Sequence, residues 1–225
     1  MNFSARRINS AARINNARTY LEIGVQKGET FFDVEIEHKD AVDPHFLFET
    51  SPLASEKVRF FSQKSDAFWT SDKPLKYDLI MIDGLHTFEQ TFRDLLCSMR
   101  FSHDRTVWLI DDTLPTDVFS AIPDQAKSYR ERKKMQIGGS PWHGDVYKII
   151  PAIHDFVPVL EYVTIIDSGN PQTLAWYQTR SNFQAREDNL ETISRMTFFD
   201  IESHISIFRL VEEFEALSQL KNAFS

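Results

Sequence analysis

Four side chains able to bind a cation or carry a proton stand at the ends of two short apolar runs. They are Asp83 and His86 in Met81-Ile82-Asp83-Gly84-Leu85-His86, and Asp111 and Asp112 in Leu109-Ile110-Asp111-Asp112-Thr113. Carboxylates brought together repel one another unless a cation neutralises them, and an all-oxygen donor set suits Mg²⁺, Mn²⁺ or Ca²⁺ better than zinc. The plainer alternative makes Asp83-Gly84 a turn and Asp111-Asp112 the start of a solvated loop. His86 lies three residues beyond Asp83, which directs it to the same strand end; the bland reading is a packed or exposed histidine at a helix start.

A second constellation lies upstream, in Tyr20-Leu21-Glu22-Ile23-Gly24-Val25-Gln26-Lys27-Gly28-Glu29-Thr30. Its glycines fall where a strand must turn sharply into a helix, and glycine permits positive φ and close approach of a ligand to the backbone. Asp43 follows Glu22 by 21 residues, at the end of the next apolar run. A carboxylate at that spacing can accept both hydroxyls of a ribose, although an Asp before Pro44 also starts turns. Together the two features predict recognition of adenosine.

The elements that must position these residues are short apolar runs alternating with helix-length segments, the pattern of a parallel sheet covered by helices. Seven strands are predicted: Tyr20–Ile23, Asp40–Val42, Val58–Phe61, Asp78–Ile82, Val107–Ile110, Tyr162–Asp167 and Leu174–Gln178. Phe88, Phe92, Leu95, Leu96 and Met99 recur at helical spacing between the fourth and fifth, predicting an amphipathic helix over Thr87–Phe101. Only Ser168-Gly169-Asn170-Pro171-Gln172-Thr173 separates the last two strands. That is too short for a helical crossover, so they pair as an antiparallel hairpin. Residues 113–148 read as a long excursion over the sheet, with Trp142 equally suited to plugging the fold or stacking on a substrate, and Gly138, Gly139 and Gly144 permitting motion. The tail from Thr197 to Phe224 carries Phe199, Ile201, Ile205, Phe208, Val211, Phe214 and Leu217 at approximately helical spacing.

With 225 residues the chain is long enough to bury a substantial core. A net charge of −8 sets it against a nucleic-acid backbone or an anionic membrane, so a small molecule is the expected partner. The basic run Arg130 to Lys134 reads as a solvated helix face, and the single cysteine, Cys97, as a core residue. No secretory or membrane-spanning pattern is visible, which makes the cytoplasm the default location.

The motif Glu22-Ile23-Gly24-Val25-Gln26-Lys27-Gly28, with the seven-strand pattern and its terminal hairpin, resembles the class I S-adenosylmethionine-dependent methyltransferases. The resemblance implies an α/β fold: a Rossmann-like, mostly parallel seven-stranded sheet with a terminal antiparallel hairpin and helices on both faces. It places Glu22 near the amino-acid part of S-adenosylmethionine, has Gly24 and Gly28 make room for the cofactor, and has Asp43 hold the ribose, with Ser65 and Asp66 beside the adenine. Gln26 departs from the commoner glycine-rich form, which argues against a nicotinamide or flavin dehydrogenase.

Ile82-Asp83-Gly84-Leu85-His86 with Ile110-Asp111-Asp112 further resembles the metal-dependent branch that methylates sugar hydroxyls of small molecules. On that resemblance Asp83, Asp111 and Asp112 bind Mg²⁺ and His86 is the general base. The expected organisation is a methyltransferase domain over 1–180 and a helical extension over 181–225 that packs on the domain or on a partner subunit, which allows a homodimer. The competing reading is a non-catalytic adenosine-binding or assembly module whose interface is formed by Phe199, Phe208 and Phe214.

Overall fold

The computed structural model of the chain describes residues 2–70 and 75–225. Its strands are β1 (Thr19–Ile23), β2 (His38–Val42), β3 (Val58–Phe61), β4 (Leu79–Ile82), β5 (Val107–Ile110), β6 (Leu160–Ile165), β7 (Gln172–Tyr177) and β8 (Leu210–Val211). They form one sheet in the order β3-β2-β1-β4-β5-β7-β6-β8. β7 runs antiparallel to both of its neighbours, β5 and β6. The seven expected strands are all present, and the eighth is a correction. The tail is not one helix: Arg209 takes a left-handed conformation (φ 52°) that ends one helix, and Leu210–Val211 pairs with β6 before the next begins.

Alternation along the strands decides which helix covers which face. Leu21, Ile23, Ile80, Ile82, Trp108 and Ile110 belong to the core under α3 (Ser65–Trp69), α4 (Phe88–Ser98), α6 (Ile149–Phe156), α7 (Leu190–Arg195) and α8 (Ile201–Phe208). Tyr20, Leu79, Met81, Val107 and Leu109 belong to the opposite core under α1 (Phe3–Asn15), α2 (Glu29–Asp33) and α9 (Glu213–Ala223). The remaining helix, α5 (Gln125–Lys134), lies in the excursion and buries only Ser128 and Arg132.

α1, which carries Arg6, Arg7 and Arg13, is not among the elements expected from the sequence pattern. Asn2 caps it by accepting from the Ala5 N–H at 2.7 Å. One of those arginines, Arg7, is fully buried between α1, α9 and the β6–β7 connection. Residues 181–225 lie on the same body, with α8 against α6 and α9 against α1. Of Phe199, Phe208 and Phe214, Phe208 is buried and the other two are exposed. No helix among the described residues is long and apolar enough to cross a membrane.

Register sets up the site. Ile23 lies opposite Val42 on one side and Ile82 on the other, and Ile82 lies opposite Ile110. The next residue of each strand, Gly24, Asp43, Asp83 and Asp111, therefore stands in one row along the carboxyl edge of the sheet. In open α/β sheets that edge is where ligands bind.

Candidate active site

A cavity of about 830 Å³ opens along this row, lined by Glu22, Gly24, Asp43, Ser65, Asp66, Asp83 and His86 among others. At one end, β1 passes into the loop before α2. Gly24 has φ +85°, and a Cβ there would lie 1.8 Å from the Asp83 carbonyl oxygen. Only glycine lets the β1 and β4 ends approach so closely. Gln26, the departure from the glycine-rich form, adopts φ 46° all the same. Its N–H donates to Asp43 Oδ2 at 2.8 Å and its carbonyl accepts from Leu47 N at 2.8 Å. Those bonds offset the roughly 1–2 kcal/mol that a left-handed non-glycine residue costs.

Asp43 organises this loop. Val25 and Gln26 both donate to Oδ2 at 2.8 Å, and His45 N donates to Oδ1 at 2.7 Å. A carboxylate has about four acceptor positions, so about one is left for a ligand. A single ribose hydroxyl is what this bonding pattern leaves room for, with the loop bonds intact. Gly28 is not among the cavity-lining residues. It takes φ +79° to open α2, where a Cβ would strike the Phe32 ring at 2.3 Å, so its role is in the turn.

Glu22 is 2% exposed and accepts from Tyr20 Oη at 2.6 Å. Burial pushes its carboxyl up to about 8, against the pull of the tyrosine hydrogen bond. Ser65 and Asp66 meet α4, whose Gln90 Nε2 lies 3.1 Å from Ser65 Oγ and 3.2 Å from Asp66 Oδ1. Gln90 also donates to Asp94, a buried cavity-lining residue that sequence reasoning passed over; Asp94 Oδ2 has no hydrogen-bond partner among the described residues.

At the other end, Asp83, His86 and Asp112 can each offer a ligand atom within 4.8 Å of one another. His86 lies between the carboxylates, with Nδ1 2.7 Å from Asp112 Oδ2 and Nε2 3.3 Å from Asp83 Oδ1. Burial opposes charge on this imidazole, but Asp112 and Asp83 outweigh it and push the pKa up to about 11. The cation that converging carboxylates require is thus supplied here by the imidazolium itself. With both carboxylates beside it the imidazole favours its charged form, which leaves it less ready to accept a proton than an unpaired histidine. Asp111 stands outside the cluster, because its Oδ1 accepts from Asp112 N at 2.7 Å and from Asn170 Nδ2 at 2.6 Å.

The excursion clamps this end. Trp142 stacks on His86 with ring centroids 4.5 Å apart and planes within 3°, and its Nε1 donates to Ile122 O at 2.8 Å. Gly144 is held by contact: at φ +62°, a Cβ would lie 1.8 Å from the His86 carbonyl oxygen. Asp145 accepts from Phe88 N at 2.9 Å, capping α4 from 57 residues away, and pairs with Lys148 Nζ at 2.8 Å. His143 and Asn170, neither assigned a role from sequence, meet at 2.8 Å beside the acidic pair.

Sequence and fold comparisons agree with this arrangement. Residues 3–113, about half of the chain, match a family model described as a methyltransferase domain. No curated protein matches the chain. Among solved structures, a candidate O-methyltransferase from Klebsiella pneumoniae aligns with 17% identity and a TM-score of 0.55 over 78% of this chain and 80% of its own. A candidate caffeoyl-CoA O-methyltransferase from Staphylococcus aureus aligns with 15% identity and a TM-score of 0.53 over 79% and 84%. The plantazolicin methyltransferase BpumL, in complex with a monoazolic desmethylPZN analog and S-adenosylhomocysteine, aligns with 11% identity and a TM-score of 0.52 over 79% and 85%.

Proposed function

We propose that the chain is a class I S-adenosylmethionine-dependent methyltransferase that methylates an oxygen of a small polyhydroxylated or glycosidic acceptor with a divalent cation assisting, a reading supported by the methyltransferase-domain match over residues 3–113 and by the shared fold. The observation that carries this reading is the sharing of one cavity by the β1 loop and by Asp83 and His86, with Asp112 directly behind His86. Gly24 would leave room for a methyl donor in the cavity that Asp83 and His86 also line. Occupation of the fold by S-adenosylhomocysteine in BpumL supports the choice of cofactor.

The donor brings a methyl group already activated on sulfur, so the protein has mainly to align oxygen, carbon and sulfur. Glu22, buried and short of a cation, faces the ammonium end of the cofactor, where a positive charge stabilises its ionised form. Asp43 offers its remaining acceptor position to a ribose hydroxyl, and Ser65, Asp66 and Gln90 border the base. Asp83 and Asp112, two carboxylates with an imidazole nearby, suit Mn²⁺ at least as well as Mg²⁺. Asp83 and Asp112 would hold a divalent cation there, and its chemistry would be to favour the ionised form of an acceptor hydroxyl. His86, stacked on Trp142, is the side chain of the cluster able to take the acceptor proton from its neutral form.

The test is calorimetric titration with S-adenosylhomocysteine, with and without Mn²⁺ or Mg²⁺, followed by methyl transfer from labelled S-adenosylmethionine to polyhydroxylated and glycosidic acceptors. Micromolar binding and metal-stimulated transfer are expected. Binding of S-adenosylhomocysteine without transfer to any of those acceptors leaves an adenosine-binding module. Absence of binding overturns both readings.

A further inference from the structure

Asn170, in the β6–β7 connection, lies among the acidic side chains without being one of them. Its Nδ2 donates to Asp111 Oδ1 and to Asp112 Oδ1, each at 2.6 Å. Chemistry fixes the orientation of this amide, since its oxygen would repel both carboxylates. Asn170 Oδ1 must then accept from His143 Nε2 at 2.8 Å, which sets the histidine tautomer. The backbone of Asn170 is held as firmly. Its carbonyl accepts from Arg7 Nη1 at 2.8 Å, and the same guanidinium bonds Gln172 Oε1 at 2.6 Å and Asp167 O at 2.6 Å, with Nε 3.1 Å from Glu213 Oε2 on α9.

We propose that Asn170 is a positioning residue of the active site, tying Asp111 back and presenting the free oxygen of Asp112 to the cation and to His86, and that Arg7 and Glu213 hold Asn170 in place. The inference rests on the divalent-cation reading of Asp83 and Asp112. Two adjacent carboxylates at one strand end diverge unless something shared holds them. The one amide group does so, drawing Asp111 into a bond with Asp112 N and leaving Asp112 Oδ2 toward His86 at 2.7 Å. Asp112 sits at φ +62°, a conformation that costs energy for a residue with a Cβ and persists only when its surroundings enforce it. The C-terminal helix, far along the chain from the first-half methyltransferase match, thereby reaches the active site through two bonded residues.

Mn²⁺ affinity, measured by calorimetry on the cofactor-free protein, reads this role without any acceptor. Asn170→Ala and Asn170→Asp are each expected to weaken Mn²⁺ binding about 10- to 100-fold, the usual cost of losing a group that orients a metal ligand. S-adenosylhomocysteine affinity stays within about twofold, a separation that general damage to the fold would not give. Glu213→Gln, remote from the cavity, weakens Mn²⁺ binding about threefold in the same direction, a small fraction of the loss at Asn170. If the unaltered protein binds Mn²⁺ and the Asn170 variants bind it equally well, Asn170 is merely a loop residue and the proposal falls. If the unaltered protein binds S-adenosylhomocysteine but no Mn²⁺, the cation reading falls first and takes this one with it.

Discussion

One end of the cavity is built from nearly continuous chain, and the other is gathered from far apart. The loop end needs Glu22 to Gln26 and one carboxylate, Asp43, that accepts from Val25, Gln26 and His45 backbone. The acidic end, proposed above as the cation end, has Asp83 and His86 after β4 and Asn170 from the hairpin on the cavity wall, supported by Asp112 after β5 and by Trp142 and Gly144 from the excursion. Backbone shape dominates the first and side-chain charge the second. A ligand at the loop end meets a preformed surface; one at the cation end must displace an ion pair already in place.

The largest expected effect separates the two ends. Asp83→Asn removes one of the two carboxylates that bracket His86, and methyl transfer should fall about 10²- to 10⁴-fold, the range for losing a proton-transfer or metal-ordering group. Chelation of divalent ions should produce a loss of similar size in the unaltered protein. S-adenosylhomocysteine affinity, read by calorimetry, should stay within a few-fold in both experiments. Equal loss of cofactor binding would mean that the ends are one unit.

Gly24→Ala should break the separation, because Gly24 joins the ends. Its new Cβ would meet the Asp83 carbonyl, which cannot rotate away as a side chain can. A cost of about 2–4 kcal/mol in urea unfolding is expected from a disfavoured φ plus the clash, with cofactor binding and transfer both lost. Gly144→Ala meets the His86 carbonyl at the same 1.8 Å but lies outside the loop end. It should harm transfer while sparing most of the S-adenosylhomocysteine affinity.

The same contrast explains what was legible in the sequence. The seven predicted strands, the β4–β5 helix and the hairpin follow from local periodicity, and the loop end follows from glycines and a fixed spacing. β8 is two residues long and becomes a strand only because β6 offers an edge, so no local pattern announced it. Asp111 and Asp112 read identically as a pair of carboxylates. Which of them faces His86 depends on the φ of Asp112 and on Asn170, 58 residues from Asp112. Spacing directs His86 to the strand end that Asp83 occupies, but its place between Asp83 and Asp112, 3.3 Å and 2.7 Å away, depends on the fold. For the excursion, sequence leaves Trp142 equally suited to plugging the fold or stacking on a substrate, and its stack on His86 needs coordinates.

Glu22 offers a pH test specific to the loop end. Its carboxyl is raised from 4.5 to about 8 in the fold, so between these values the folded chain holds a proton that the unfolded chain has released. The stabilisation is complete below about 4.5 and is lost as pH rises through 8, at up to about 1.4 kcal/mol per pH unit. Urea midpoints of the cofactor-free protein from pH 5 to 9 should fall more steeply than those of Glu22→Gln. The difference between the two curves isolates Glu22 from Asp83 and His86, whose raised pKa values slope the same way. If S-adenosylhomocysteine places its ammonium at Glu22, binding at pH 7 should also release close to one proton. Calorimetry in two buffers of different ionisation enthalpy reads that release, and parallel urea curves would remove Glu22 from the account.

The smallest effect concerns Trp142, where packing and catalysis are hardest to tell apart. Trp142→Phe keeps an aromatic ring over His86 but loses the donation to Ile122 O, a hydrogen bond worth about 1 kcal/mol. Stability should fall by about that amount, and Mn²⁺ affinity should change less than threefold, because the carboxylates and Asn170 are untouched. Trp142→Ala uncovers the imidazole to water, which weakens its attraction to Asp83 and Asp112 by raising the local dielectric. Its transfer rate should therefore drop further than its stability alone explains. The pair of variants is decisive for how the ends communicate: if the phenylalanine variant changes S-adenosylhomocysteine affinity as much as Glu22→Gln does, the stack on His86 also shapes the loop end, and the division of the cavity into two independently built halves fails.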